Sequence, residues 1–113
     1  MKYKIQNSDM KQLCDDDRVA FATNHITVDG AKVGYMHREA PDFEEDSGWR
    51  FFSGAEDQKY IDNDSNVDIH SLNDIANYDP TILDFLAMPE GTELVWSADK
   101  KIFVESTPDI EEL

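Results

Sequence analysis

Apolar and polar residues alternate through positions 24–35 on either side of an Asp29-Gly30 pair. Asp-Gly is a preferred two-residue turn of type I′, in which both central positions need positive φ. Counting outward pairs Val28 with Ala31, Ile26 with Val33 and Asn24 with Tyr35. Ile26, Val28, Ala31, Val33 and Tyr35 then share one face, and Thr27 and Lys32 the other. Turn and pattern agree, so a β-hairpin is expected here. Val19-Ala20-Phe21-Ala22 extends its first strand after a bend near Asn24.

The densest apolar cluster follows. In Asp46-Ser47-Gly48-Trp49-Arg50-Phe51-Phe52-Ser53-Gly54, glycines bracket three aromatic residues. Large rings anchor cores, so a strand over Trp49–Ser53 is expected, entered and left by sharp turns. The run before it, Arg38 to Asp46, carries Pro41 and several acids, which resist burial. It reads as an exposed loop in which Phe43 is the one pinning residue. Ala55 to Ile61 suits a short helix with Glu56 and Asp57 at its favourable N-terminal end.

Val67-Asp68-Ile69-His70 alternates as a strand does. Ser71-Leu72-Asn73-Asp74 is a capped helix start that turns Leu72, Ile75 and Ala76 inward. Asp79-Pro80 opens another helix, with Ile82, Leu83, Phe85 and Leu86 at helical spacing and Pro89 and Gly91 ending it. A last hairpin joins Glu93–Trp96 to Lys101–Val104. Residues 1–17 are polar, with a weak helix through Met10, Leu13 and Cys14 capped by Ser8 or Asp9. The sum is a single small α+β domain. It has a mostly antiparallel sheet of about five strands and two or three short helices grouped to one side.

Charge narrows the function. The 113 residues hold 25 acids and 10 basic residues, a net −15. Nucleic acids and anionic membranes are excluded as natural partners, because both are bound by neutralising phosphate with Lys and Arg. A basic protein fits better, although an acidic cytosolic protein needs no basic partner. Cys14 is the only cysteine, so no internal disulfide is expected, and Asp15, Asp16 and Asp17 beside it disfavour a reactive thiolate. Residues 1–5 lack the apolar run of a signal peptide and no stretch suits a membrane span, so a cytoplasmic protein is expected.

Candidate chemistry is thin. Asp62, Asp64 and Asn66 match the opening of a calcium loop, but Val67 stands where its glycine belongs and Asn73 where its closing Glu belongs. A solvated turn is expected there. His25, His37 and His70 match no zinc spacing, and His25 and His37 are expected as exposed sheet histidines. Ser47 and Ser53 sit beside glycines without forming a nucleophile elbow. No catalytic residue, metal site or cofactor is expected. Arg38 beside Glu39, and Arg50 near Asp46 or Glu56, suit ion pairs that fix the loop between two strands.

Four segments carry a resemblance: Val28-Asp29-Gly30, Val33 to Glu39, Asp46 to Gly54, and Ser71 to Pro80. In that order they resemble the thirty-third immunity-protein family of bacterial polymorphic toxin systems, formerly a domain of unknown function. The likeness runs from about Arg18 to Glu105, leaving an N-terminal arm over 1–17, an immunity-like domain over 18–105 and an acidic tail over 106–113. The resemblance implies a protein that binds and blocks a cognate toxin without catalysis. Its candidate recognition positions are the polar residues of these motifs: Arg38, Glu39, Asp46, Ser47, Arg50, Glu56 and Asp57. A toxin that acts on nucleic acid needs a basic surface, and an acidic protein can cover it in place of phosphate. The competing reading is a small-ligand or regulatory module using the loop from Arg38 to Trp49. Convergence of Arg38, Ser47 and Arg50 in a pocket would favour the ligand. A wide acidic face with an exposed aromatic would favour a protein.

Overall fold

The protein is seen in a computed structural model that describes residues 3–106. Residues 107–113 of the expected acidic tail lie outside the described residues.

Six strands form one sheet in the order β4-β1-β3-β2-β5-β6: β1 (Val19–Thr23), β2 (Tyr35–Arg38), β3 (Asp46–Phe52), β4 (Val67–Ser71), β5 (Glu93–Ser97) and β6 (Ile102–Glu105). Every neighbouring pair is antiparallel except β1 and β3, which run parallel. Three short helices, α1 (Asn24–Thr27), α2 (Gln58–Asp62) and α3 (Leu72–Tyr78), and 3-10 turns complete the α+β domain.

The hairpin expected at Asp29-Gly30 does not form. Asn24–Thr27 winds into α1, and Gly30 ends it at φ +82° with its N–H on the Ile26 carbonyl (3.0 Å). Both outcomes need positive φ at the glycine, so the dipeptide alone does not choose between them. Distant partners hold the helical one. The Thr27 carbonyl accepts from Lys4 N (2.7 Å) and from the Tyr78 hydroxyl (2.9 Å). Consequently β1 and β2 are not partners, and β3 lies between them. The count of strands rises to six because β4 pairs along all of β1.

The other local expectations fare unevenly: the caps form, while one expected helix changes type and another is absent. Ser71 caps α3 by accepting from Asp74 N (3.0 Å). Asp57 caps α2 by accepting from Tyr60 N (2.8 Å). Asp79 caps the next turn by accepting from Thr81 N (3.1 Å), but Pro80–Phe85 winds as a 3-10 helix rather than an α-helix. The other Asp79 oxygen accepts from Val33 N (3.0 Å), which ties the start of this turn to the segment before β2. Met10–Cys14 forms no helix. It runs along α3, where Asn73 accepts from Leu13 N and Cys14 N and Asn77 from Lys11 N.

The core lies on the helix side of the sheet. Ala20, Ala22, Met36, Trp49, Phe51, Leu94 and Phe103 meet Ile26, Leu72, Ile75, Ala76, Ile82 and Leu86, all buried. Two glycines let β2 and β3 approach at either end of their pairing. A Cβ on Gly48 (φ +89°) would stand 2.1 Å from the Glu39 carbonyl oxygen, and one on Gly34 would stand 2.1 Å from that of Ser53. Alternation along each strand then leaves the opposite face of the sheet uncovered by α1 and α3.

Candidate functional site

That open face is built from alternate residues of the central strands. Phe21 of β1 is in register with Arg50 of β3, Arg50 with His37 of β2, and Phe52 with Tyr35. The His37 imidazole stacks on Phe52 with centroids 5.7 Å apart, and Tyr35 lies 5.6 Å from the same ring. Phe43 leans in from the loop, 6.4 Å from Phe21 and still 38% exposed. Burial holds the His37 imidazole below its ordinary pKa despite Glu39 and Glu93 nearby, so it stays neutral near pH 7.

Arg50 sits in the middle of this face and is almost fully buried. Nη1 and Nη2 donate to the two oxygens of Asp46 (2.9 and 2.8 Å), a bidentate pair. Nε donates to Glu39 (2.7 Å), Nη1 also to the Trp49 carbonyl (3.0 Å), and Asp42 lies 3.6 Å from Nη2. The guanidinium carbon is 4.2 Å from the Phe21 ring centre. Asp46 is itself placed by its neighbours, accepting from Asp42 N (2.8 Å) and Gly48 N (2.9 Å). The Arg50 hydrogen bonds, and these backbone donors against the opposing cost of burial, lower its carboxyl pKa to about 2. Three carboxylates around one guanidinium leave the cluster net negative.

The other expected recognition residues scatter. Arg38 is in register with Trp49 and therefore points to the helix side. It donates to the carbonyls of Ser47 (2.9 Å) and Met88 (2.7 Å), and no carboxylate pairs with it among the described residues. Ser47 is buried, its hydroxyl oxygen accepting from Trp49 N (3.2 Å). Glu56 closes the turn after β3. It accepts from Ser53 N (2.8 Å), Gly54 N (2.9 Å) and the Thr23 hydroxyl, with its side chain 2% exposed. Burial would raise its pKa, but those hydrogen bonds outweigh it and lower the value. Asp57 is the exposed cap of α2. Of the expected residues, then, Glu39, Asp46 and Arg50 come together, joined by Asp42. Phe21, Tyr35, His37, Phe52 and Ile61 were not singled out as site residues. For the four ring residues the signal is an aromatic side chain at an outward-facing position, visible once strand registers are known; Ile61, on α2, carries no such signal.

Two shallow hollows lie on the open face. One, of about 220 Å³, is lined by Phe21, Thr23, His37, Arg50, Phe52 and Ile61; the other, of about 460 Å³, by Tyr35, Phe52, Ile61 and Val95 among others. Among the described residues no three His, Cys, Asp or Glu side chains form a metal-holding group. The Asp62–Asn66 segment is occupied by the end of α2 and a 3-10 turn capped by Asn63. No helix among the described residues is long and apolar enough to cross a membrane.

A family model described as the immunity protein Imm33 domain matches residues 20–107. The chain belongs to the Imm33 immunity family. No curated protein and no solved structure matches it. The matched span runs from the second residue of β1 through β6 and contains Phe21, Tyr35, His37, Arg50 and Phe52 of the open face. Within the Imm33 domain the Asp46–Gly54 segment serves both sides of the sheet: Trp49 and Phe51 fill the core, while Asp46, Arg50 and Phe52 face outward. Membership implies a toxin partner in general terms.

Proposed function

We propose that this Imm33 domain binds a basic cognate toxin domain in the cytoplasm and neutralises it stoichiometrically, without catalysis, through the open face of its sheet. The observation that carries the reading is an aromatic surface bordered by carboxylates. Phe21, Phe43, Tyr35, His37 and Phe52 lie beside Glu39, Asp42, Glu44, Glu45 and Glu93. An apolar centre with a charged rim is the anatomy of protein–protein interfaces, and aromatic anchors supply most of their affinity. The net charge of −15 would speed encounter with a basic partner.

The small-ligand reading needs Arg38, Ser47 and Arg50 to converge, and they lie on opposite sides of the sheet. The N–H donors of Arg50 are already turned to Asp46, Glu39, Asp42 and the Trp49 carbonyl, which leaves little for an anionic ligand.

Charge reversal tests the proposal. Asp42, Glu44 and Glu45 are exposed, so changing all three to Lys should leave the melting temperature within a few degrees. Asp46 must be left alone, because it is buried under Arg50. The association rate with the cognate toxin, measured by stopped flow, should fall by about tenfold or more at low salt. The gap from the unmodified protein should narrow at 0.5–1 M salt, where the Debye length is only about 3–4 Å. An unchanged on-rate would move the interface to another face.

A further inference from the structure

The two hollows share Phe52 and Ile61. They are therefore one groove, running across the open face beneath α2 from Glu39 and Arg50 to Val95. We propose that this groove seats a segment of the toxin in which an apolar side chain is flanked by Lys or Arg. The apolar side chain drops between Phe21, Phe52 and Ile61, and the cations meet Glu39 and Asp42. The inference rests on the open-face reading above and says what kind of segment that face takes.

The lining argues for the apolar anchor. Arg50 is neutralised, His37 is held neutral, and Thr23 is spent on Glu56. Apart from the Glu39 carboxylate, what remains accessible is aromatic and aliphatic. Within the groove, the hollow of about 220 Å³ that Phe21, Phe52 and Ile61 line has room for one inserted apolar side chain. Charge argues for the flanking cations. Glu39 gives one oxygen to Arg50 Nε, while its other makes no hydrogen bond among the described residues, and its side chain is 50% exposed. Asp42, 63% exposed, stands 3.6 Å from Arg50 and keeps accepting capacity. Glu56 is excluded as a cation partner, because its oxygens are already bonded and covered.

The wall supplied by α2 is slight. None of its residues is buried, so Ile61 can be changed without opening the core. That makes it the position of choice for a test.

The probes are two synthetic peptides of equal length and charge, one alternating Lys with Leu and one alternating Lys with Ser. Each is titrated into the full isotope-labelled chain at low salt and followed by amide chemical shifts. The Lys/Leu peptide should bind at least about tenfold more tightly, with the largest shifts at Phe21, Phe52 and Ile61. Ile61→Asp should erase that preference, whereas Leu13→Asp, on the exposed N-terminal segment along α3, should preserve it. Glu39→Gln should weaken both peptides. Equal affinity for the two peptides, or shifts of the unmodified protein centred elsewhere, would overturn the groove while leaving a charge-driven acidic face intact. Failure of both peptides to bind would count against the groove and the basic-partner reading together. The shift map of the unmodified chain decides the matter even if Ile61→Asp proves unstable.

Discussion

Replacing Arg50 with methionine will lower stability by about 3–5 kcal/mol, because it strands the Asp46 carboxylate in a site with no exposure. At roughly 4–8 °C per kcal/mol for a domain near this size, the melting temperature should drop by more than about 10 °C. The loss comes from the unpaired charge rather than from the missing ion pair as such. Asp46→Asn added to Arg50→Met should therefore recover part of it, a coupling that a double-mutant cycle reads directly. The pH dependence follows from the same pair. Asp46 has its pKa lowered from 3.8 to about 2 in the folded state. Its carboxylate thus stabilises the fold fully above the unfolded value, and that contribution, about 2–3 kcal/mol, disappears as pH falls from about 4 towards 2. The Arg50→Met variant should show a flatter acid profile over that window. A melting temperature unchanged by Arg50→Met at pH 7 would mean that the cluster is open to water.

Trp49→Ala should cost a comparable amount, about 3–5 kcal/mol, for a different reason. The ring is fully buried, stacks on Phe51 at 6.1 Å and donates from Nε1 to the Leu86 carbonyl (3.0 Å). On its other side the Arg38 guanidinium lies 5.7 Å from the ring centre. Deleting the indole leaves a cavity between the sheet and the 3-10 turn, and removes the donor that ties that turn down. Trp49→Phe should lose less, since most of the volume stays. Urea denaturation followed by circular dichroism measures both. Because Trp49 faces away from the open side, Trp49→Phe should leave toxin binding unchanged once folding is complete. A denaturation midpoint unaffected by Trp49→Ala would instead put the indole on the surface.

These two residues are neighbours in sequence and act on opposite sides of the sheet, which shows what a strand does to a motif. The alternation Trp49-Arg50-Phe51 is legible as a strand, and the ion pair between Arg50 and Asp46 was one of two pairings open from spacing alone. Arg38 was expected beside Glu39. Register decided otherwise: Arg38 stands opposite Trp49 and turns inward, while Glu39 goes to Arg50. Adjacent residues on a strand point to opposite faces, so nearness in sequence was the wrong guide.

Short-range chemistry was readable at several caps and at one hairpin. Ser71 and Asp79 cap the elements they precede as expected, and the β5–β6 hairpin closes where its polar turn lies, because each needs only partners a few residues away. The Asp29-Gly30 pair shows the limit. Positive φ occurs at Gly30 but not at Asp29, a helix end meets the glycine's demand as well as a hairpin turn does, and Lys4 and Tyr78 chose between them from 23 and 51 residues away from Thr27.

By itself, then, the sequence determined the α+β class, Trp49 and Phe51 as core residues of their strand though not the outward turn of Phe52, the caps at Ser71 and Asp79, and the acidic charge. Each is a local property or a sum over residues. The tertiary structure alone decided that β3 enters between β1 and β2, and hence that Phe21, His37, Arg50 and Phe52 share one uncovered face. The reason is physical: strand pairing is a long-range choice made by the packing of the whole sheet, and a face exists only after that choice is made.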